Sequence, residues 1–191
     1  MRFLGILFGL VVALLAPASC AAFHIHVYGV VTDHFSGEPI RNVQVMLVKD
    51  SIERETISTT WNGKYELFLE RGYAYEIHFK REGMVTKFVA IDAREIPLFP
   101  DVPFFEMDLQ MSMFKHIDDF DLSIFNEPVG RAEYKHSVRN LNWNGDYTDA
   151  RKPVLIRVMI GYERELQARK RAAREEASSK PDRKKRKEVH F

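Results

Sequence analysis

The sequence predicts a mainly β protein: a seven-stranded antiparallel β-sandwich followed by a C-terminal helix and a basic disordered tail. Three observations predict it. Apolar and polar residues alternate with period two in several short runs, the pattern of strands buried on one face. Clusters of Gly, Pro, Asn and Asp separate those runs at short intervals, as in two-sheet antiparallel architectures. Near the end the period changes, and Leu155, Met159, Tyr162 and Leu166 recur at helical spacing. A barrel or an open sheet is the rival arrangement of the same strands.

The N-terminus reads as a targeting segment. Arg2 precedes an apolar stretch from Phe3 to Leu15, Pro17 ends it, and small residues follow from Ala18 to Ala22. That layout is a secretory signal, so residues 1–22 are set apart from the fold; a buried helix and an uncleaved anchor are the alternatives. Cleavage after Ala21 or Ala22 satisfies the small-residue rule. Alternatively, Cys20 stands where a bacterial lipoprotein signal carries its lipidated cysteine, although Pro17 occupies a position those signals usually give to Leu. Cys20 is the only cysteine in the chain, which excludes an internal disulfide and any CxxC motif. No later apolar run reaches membrane-spanning length, so no transmembrane span is expected in the mature chain.

Seven strand-like runs follow: His24–Thr32, Val43–Lys49, Glu55–Thr60, Lys64–Leu69, Tyr73–Lys80, Val85–Ile91 and Phe104–Met111. The first two frame the chain's most informative stretch. Val27, Gly29 and Val31 alternate, Asp33, Ser36, Gly37 and Pro39 form a turn, and Val43, Val45 and Leu47 resume the alternation. In the fifth run Tyr73, Tyr75, Ile77 and Phe79 share the predicted inner face. In the seventh, Phe105, Met107, Leu109 and Met111 do. At the turn, Gly37 takes a positive φ that a Cβ resists, Pro39 fixes φ at a strand edge, and Asp33 accepts turn amides.

These residues carry a family resemblance. The run Gly29-Val-Val-Thr-Asp33, with Ser36-Gly37-Glu-Pro39-Ile40 and Asn42-Val43-x-Val45-x-Leu47, resembles the carboxypeptidase regulatory-like domain, a prealbumin-like (transthyretin-like) sandwich. Thr59, Asn62-Gly63-Lys-Tyr65, Gly72-Tyr-x-Tyr75-x-Ile77 and Arg81-Glu82-Gly83 continue it, so that it covers residues 23–111. Met84 departs from the aromatic that usually follows that glycine, and Thr60-Trp61 departs from a frequent acidic turn. The resemblance implies a prealbumin-like sandwich of the kind common in Gram-negative envelope proteins, where such domains serve stability, docking or spacing.

Residues 112–150 form an aromatic and acidic extension. Ala132-Glu-Tyr134 is a candidate further strand, and Asn142-Trp143-Asn144-Gly145-Asp-Tyr147 is turn-like. Residues 151–178 are expected to form an amphipathic helix with Pro153 in its first turn, its apolar face broadened by Val154, Ile156, Val158 and Ile160, and Glu165 and Arg169 paired at i,i+4. A strand from Val154 to Ile160 is the rival, since β-branched residues are dense there. Residues 179–191 are the basic tail. Between Glu163 and Phe191 eleven Lys and Arg face six Asp and Glu, about +5, which leaves the remainder of the +1 chain near −4.

Chemistry-bearing constellations are sparse. His24 and His26 lie two apart on one strand face and are the candidate metal ligands, but a site needs a third ligand. Cleavage after Ala21 would also make His24 the third residue, a square-planar copper or nickel arrangement. Asp118, Asp119 and Asp121 lack the spaced oxygens and glycine of a calcium loop. No Gly-x-Ser-x-Gly or His-Glu-x-x-His is present, no His-x-x-Glu supports a carboxypeptidase zinc site, and the Tyr-Arg-Gly-Ser of prealbumin-like hydroxyisourate hydrolases is missing. Catalytic residues and cofactors are therefore expected to be none. Arg183, Lys184, Lys185, Arg186 and Lys187 are candidate polyanion contacts, with a solubilising tail as the plain alternative; an exported chain does not meet nucleic acid. The expected protein is a non-catalytic exported module, periplasmic or outer-membrane-associated. It docks or spaces a protein partner at the cell envelope, or meets an anionic envelope surface. The alternatives are a small metal- or polyanion-binding protein and a prealbumin-like hydrolase.

Overall fold

A computed structural model describes residues 24–179 of the chain. Segment 1–22 with Cys20, and the tail residues Arg183, Lys184, Lys185, Arg186 and Lys187, lie outside the described residues. Ten strands form two sheets, and one long helix follows them. In the smaller sheet β1 (His24–Asp33) is central. It pairs antiparallel with β4 (Lys64–Glu70) and parallel with β7 (Phe104–Asp108) and β8 (Met111–Met113). The larger sheet runs β10 (Asn140–Trp143), β9 (Gly130–Lys135), β6 (Lys87–Asp92), β5 (Ala74–Lys80), β2 (Gln44–Lys49), β3 (Ile52–Ser58).

The inner faces of the two sheets make one core. Ile25, Val27 and Val31 of β1, Leu67 and Leu69 of β4, and Phe105 and Met107 of β7 pack with Val45, Ile77, Phe79, Val89 and Ile91. Rings bridge the layers: Tyr65 meets Phe79 edge-on at 5.2 Å and Phe105 reaches Tyr134 at 6.1 Å. The alternation that defined the runs is thus the alternation of burial, as expected for sheets with one wet face. Tyr73 is the exception on the fifth run. It stands outside β5, 36% exposed, with the Lys49 ammonium 3.3 Å from its ring centroid.

Two details differ from the sequence expectation. The sheets hold ten strands rather than seven, because β9 and β10 add to the larger sheet and the seventh run divides in two. They are mixed rather than purely antiparallel, since β1–β7, β1–β8 and β6–β9 run parallel. Alternation reports which way side chains face and is silent on the direction of the neighbouring strand, which the long crossings between sheets decide. The division of the seventh run falls at Leu109-Gln110. There the Leu109 carbonyl accepts the Tyr65 hydroxyl at 2.7 Å, and the Gln110 side chain accepts the Val30 amide at 3.1 Å in place of a ladder bond. A Cβ at Gly29 would collide with that carbonyl, so the close crossing needs glycine.

The Asp33–Gly37 turn forms as its residues imply. Asp33 Oδ1 accepts the amides of Phe35 and Ser36, each at 3.0 Å, and Gly37 takes φ 73°. The Ser36 and Phe35 bonds outweigh partial burial and hold the Asp33 carboxyl below its ordinary range.

A second apolar cluster joins the helix to the sandwich. Val85, Phe114, Ile117, Phe125 and Tyr162 are buried together, with Leu155, Val158, Met159 and Leu166 against them. Tyr162 is fully buried and donates its hydroxyl to the Lys115 carbonyl at 2.7 Å. The helix, α1 (Gly145–Ser179), excludes the rival strand. It starts earlier than expected, because Asn144 accepts the Tyr147 amide at 2.9 Å and so caps it. Pro153 is therefore interior rather than in the first turn. Val154, Ile156 and Ile160 do not broaden the packed face; all three are exposed.

Candidate functional site

The outer face of the smaller sheet gathers the sequence-predicted histidines. Outward positions alternate with the core residues, so register alone arranges them in rows. His24 lies between Glu70 and Phe104, His26 between Phe68 and Glu106, and Tyr28 between Glu66 and Asp108. The His24 ring is parallel to Phe104 at 5.5 Å and edge-on to Phe68 at 5.7 Å. The His26 ring stacks on Phe68 at 4.8 Å and meets Tyr28 at 5.0 Å. Phe68 and Phe104 remain 58% and 42% exposed. Four exposed carboxylates, of Glu66, Glu70, Glu106 and Asp108, surround these rings, against Lys64 on β4 and Lys49, which pairs with Glu70. The connection before β7 also exposes Leu98, Phe99 and Val102.

His24 and His26 thus share a face, with ring partners. His26 has Glu66 at 3.4 Å from Nε2 and Glu106 at 4.0 Å from Nδ1. Among the described residues no three His, Cys, Asp or Glu side chains are arranged to hold a metal ion. The acidic turn is similarly dispersed. Asp118 lies 3.5 Å from His116 Nδ1, and Asp121 accepts the Ser123 amide; the Ser123 side chain, then that amide, hold the Asp121 carboxyl below the ordinary range.

A second place was missed in the sequence. Lys87 opens β6 at an inward position, in phase with Val89 and Ile91, and is only 7% exposed. Its ammonium donates to the Ser112 carbonyl at 2.7 Å and lies 4.7 Å and 5.1 Å from the Phe114 and Phe125 ring centroids. Burial pushes its pKa down to about 8. It lines a cleft of about 460 Å³ between the sandwich and α1, whose walls include Met111, Trp143, Leu155 and Met159. The available signal was a lysine on the apolar phase of a strand, where residues of one face recur every second position.

No protein-family model matches the chain, and no curated protein matches it. Among solved structures it is similar to 3-chlorocatechol 1,2-dioxygenase from Rhodococcus opacus 1CP, at 14% identity and TM-score 0.39 over 50% of this chain and 61% of that one. It is similar to the group B streptococcus pilus 2b backbone protein at 9% identity and TM-score 0.34, over 49% of this chain and 42% of that one. A DUF3823 family protein from Parabacteroides merdae shares 18% identity at TM-score 0.31, over 48% and 47% of the two chains. The chain spans about three fifths of the length of the chlorocatechol dioxygenase. No function is carried across from these likenesses.

Proposed function

We propose that this chain is a non-catalytic, exported docking or spacing module of the cell envelope, of the carboxypeptidase regulatory-like kind, and that the outer face of β4, β1 and β7 is its docking surface. One observation carries the reading: Phe68 and Phe104 stay exposed on a regular sheet face, held flat by stacking on His26 and His24. Contiguous exposed apolar surface rimmed by polar groups is characteristic of an interaction site. Aromatic anchors of this kind supply most of the energy where partners meet. The surplus of carboxylates around the rings selects a protein partner with basic side chains about an apolar centre, by charge complementarity. Export and the envelope location rest on the signal-like residues 1–22, and the non-catalytic reading on the missing catalytic motifs.

The test is site-specific photocrosslinking in cells, with the reactive residue at Phe68 or Phe104 and, as control, at Trp61, which is 83% exposed. The expected outcome is a discrete adduct to an envelope protein from the sheet face alone, lost when Glu66 and Glu106 are changed to Lys. Adducts equal at Trp61, or none at either phenylalanine, overturn the docking face. Intact mass of the cellular protein decides export: loss of Met1 to about Ala21 is expected, a diacylglycerol adduct on Cys20 selects lipidation, and a full-length cytoplasmic chain overturns export. Turnover of hydroxyisourate by the purified protein would overturn the non-catalytic reading.

A further inference from the structure

We propose that the cleft between the sandwich and α1 binds an apolar molecule with an anionic head, a long-chain carboxylate above all, with Lys87 as the head-group partner. The cleft lies apart from the docking face and uses none of its aromatic anchors. Its volume, about 460 Å³, falls within the range of small-molecule sites, roughly 300–1,000 Å³. Its lining is mostly apolar, with Met111, Trp143, Leu155 and Met159 available to a hydrocarbon tail, and one buried cation among them. That is the composition such sites take: apolar walls with a few placed polar groups.

Lys87 itself calls for an anion. An ammonium carries three donors, and one is used on the Ser112 carbonyl. The rings of Phe114 and Phe125 stabilise the charge without accepting a conventional hydrogen bond. No carboxylate among the described residues offsets the desolvation that lowers its pKa. Burial of a cation without a counter-charge destabilises a fold, and such a feature persists where function needs it. With a pKa of about 8, Lys87 is mostly charged at neutral pH, which suits it to hold an anion rather than to attack a carbonyl as a free amine.

The other titratable group lining the cleft is His34, with Nδ1 3.4 Å from Ser112 Oγ. Burial, then the charge of Lys87, lowers the His34 pKa, and outweighs the opposite effect of Asp33 and Glu163. At neutral pH this favours the uncharged imidazole and leaves Lys87 as the cation of the cleft.

Trp143 lines the cleft, and Trp61 is the only other tryptophan. In a Trp61→Phe background, Trp143 emission therefore reports occupancy. The probes are dodecanoate and, as the neutral comparison, dodecanol, both below their aggregation concentrations. Dodecanoate is expected to saturate the signal at one per chain. Lys87→Met should weaken it about tenfold or more, as loss of a charge-assisted contact does, and leave dodecanol unchanged. In the unsubstituted cleft, dodecanoate affinity should fall as pH rises above about 8, because Lys87 gives up its proton; dodecanol affinity should not. Absence of saturable dodecanoate binding overturns the proposal. So does equal binding of the two probes, or dodecanoate binding insensitive both to Lys87→Met and to pH. Should Lys87→Met fail to fold, the pH series decides alone, and a flat series overturns the assignment.

Discussion

Gly37 and Gly29 are required for different physical reasons, and substitution separates them. At Gly37 a Cβ meets no heavy atom within 4 Å, so only the φ of 73° is at stake. Gly37→Val should lower stability by about 1–2 kcal/mol, read from the denaturation midpoint. At Gly29 a Cβ strikes the Leu109 carbonyl, backbone that cannot swing aside. Gly29→Ala should therefore cost at least about 2–3 kcal/mol despite the smaller side chain. Reversal of that order would mean the crossing at Leu109 relaxes freely. Lys87 sets a second prediction. Its folded pKa of about 8 lies below the ordinary lysine value of 10.5. Between those values the unfolded chain binds more protons, so stability rises with pH there. Measured against Lys87→Met, the protein should gain up to about 3 kcal/mol across that interval. A constant difference from pH 7 to 11 would place Lys87 in water.

The elements were legible in proportion to how one-sided their burial is. β1, β4 and β5 each bury alternate residues, and their runs stood out in the sequence. β3 buries almost nothing: in Ile52–Ser58 only Ile57 is partly covered, so its start could not be read from pattern. β10 and the first turns of α1 were hidden under Asn142 to Tyr147, where residues that usually make turns instead end a strand and cap a helix. The His24–His26 pairing on one face followed from period two. The carboxylates and phenylalanines beside it depend on register with β4 and β7, which local sequence does not fix. Pro153 yields the element-scale prediction. Inside α1 it lacks the amide that would bond to the Asp149 carbonyl, and its own side chain is exposed. Pro153→Ala should raise stability by about 1–3 kcal/mol, read as a higher thermal midpoint. A lowered midpoint would show that the ring holds a bend that packing of Leu155 and Tyr162 requires.

At the scale of the molecule, charge is divided along the chain, with about +5 from Glu163 onward and about −4 before it. Truncation after Ser179 removes Arg183 to Lys187 and should leave stability within about 0.5 kcal/mol. Co-sedimentation with anionic vesicles should fall, and fall further with salt. Equal, salt-independent sedimentation of both forms would leave the tail a solubilising extension. The central place of β1 has a consequence in time. Its neighbours are β4, some forty residues later, and β7 and β8, some eighty residues later. β1 precedes every other described strand, yet it is completed only once β7 and β8 have followed. Loop closure must precede those distant pairings, which makes such topologies slow to fold. Chains stopped at Asp92 should therefore stay sensitive to protease, while those reaching Met113 can first close β1 on both sides. β1 thus keeps one edge open until the chain has reached Met113, a delay set by the order of pairing alone.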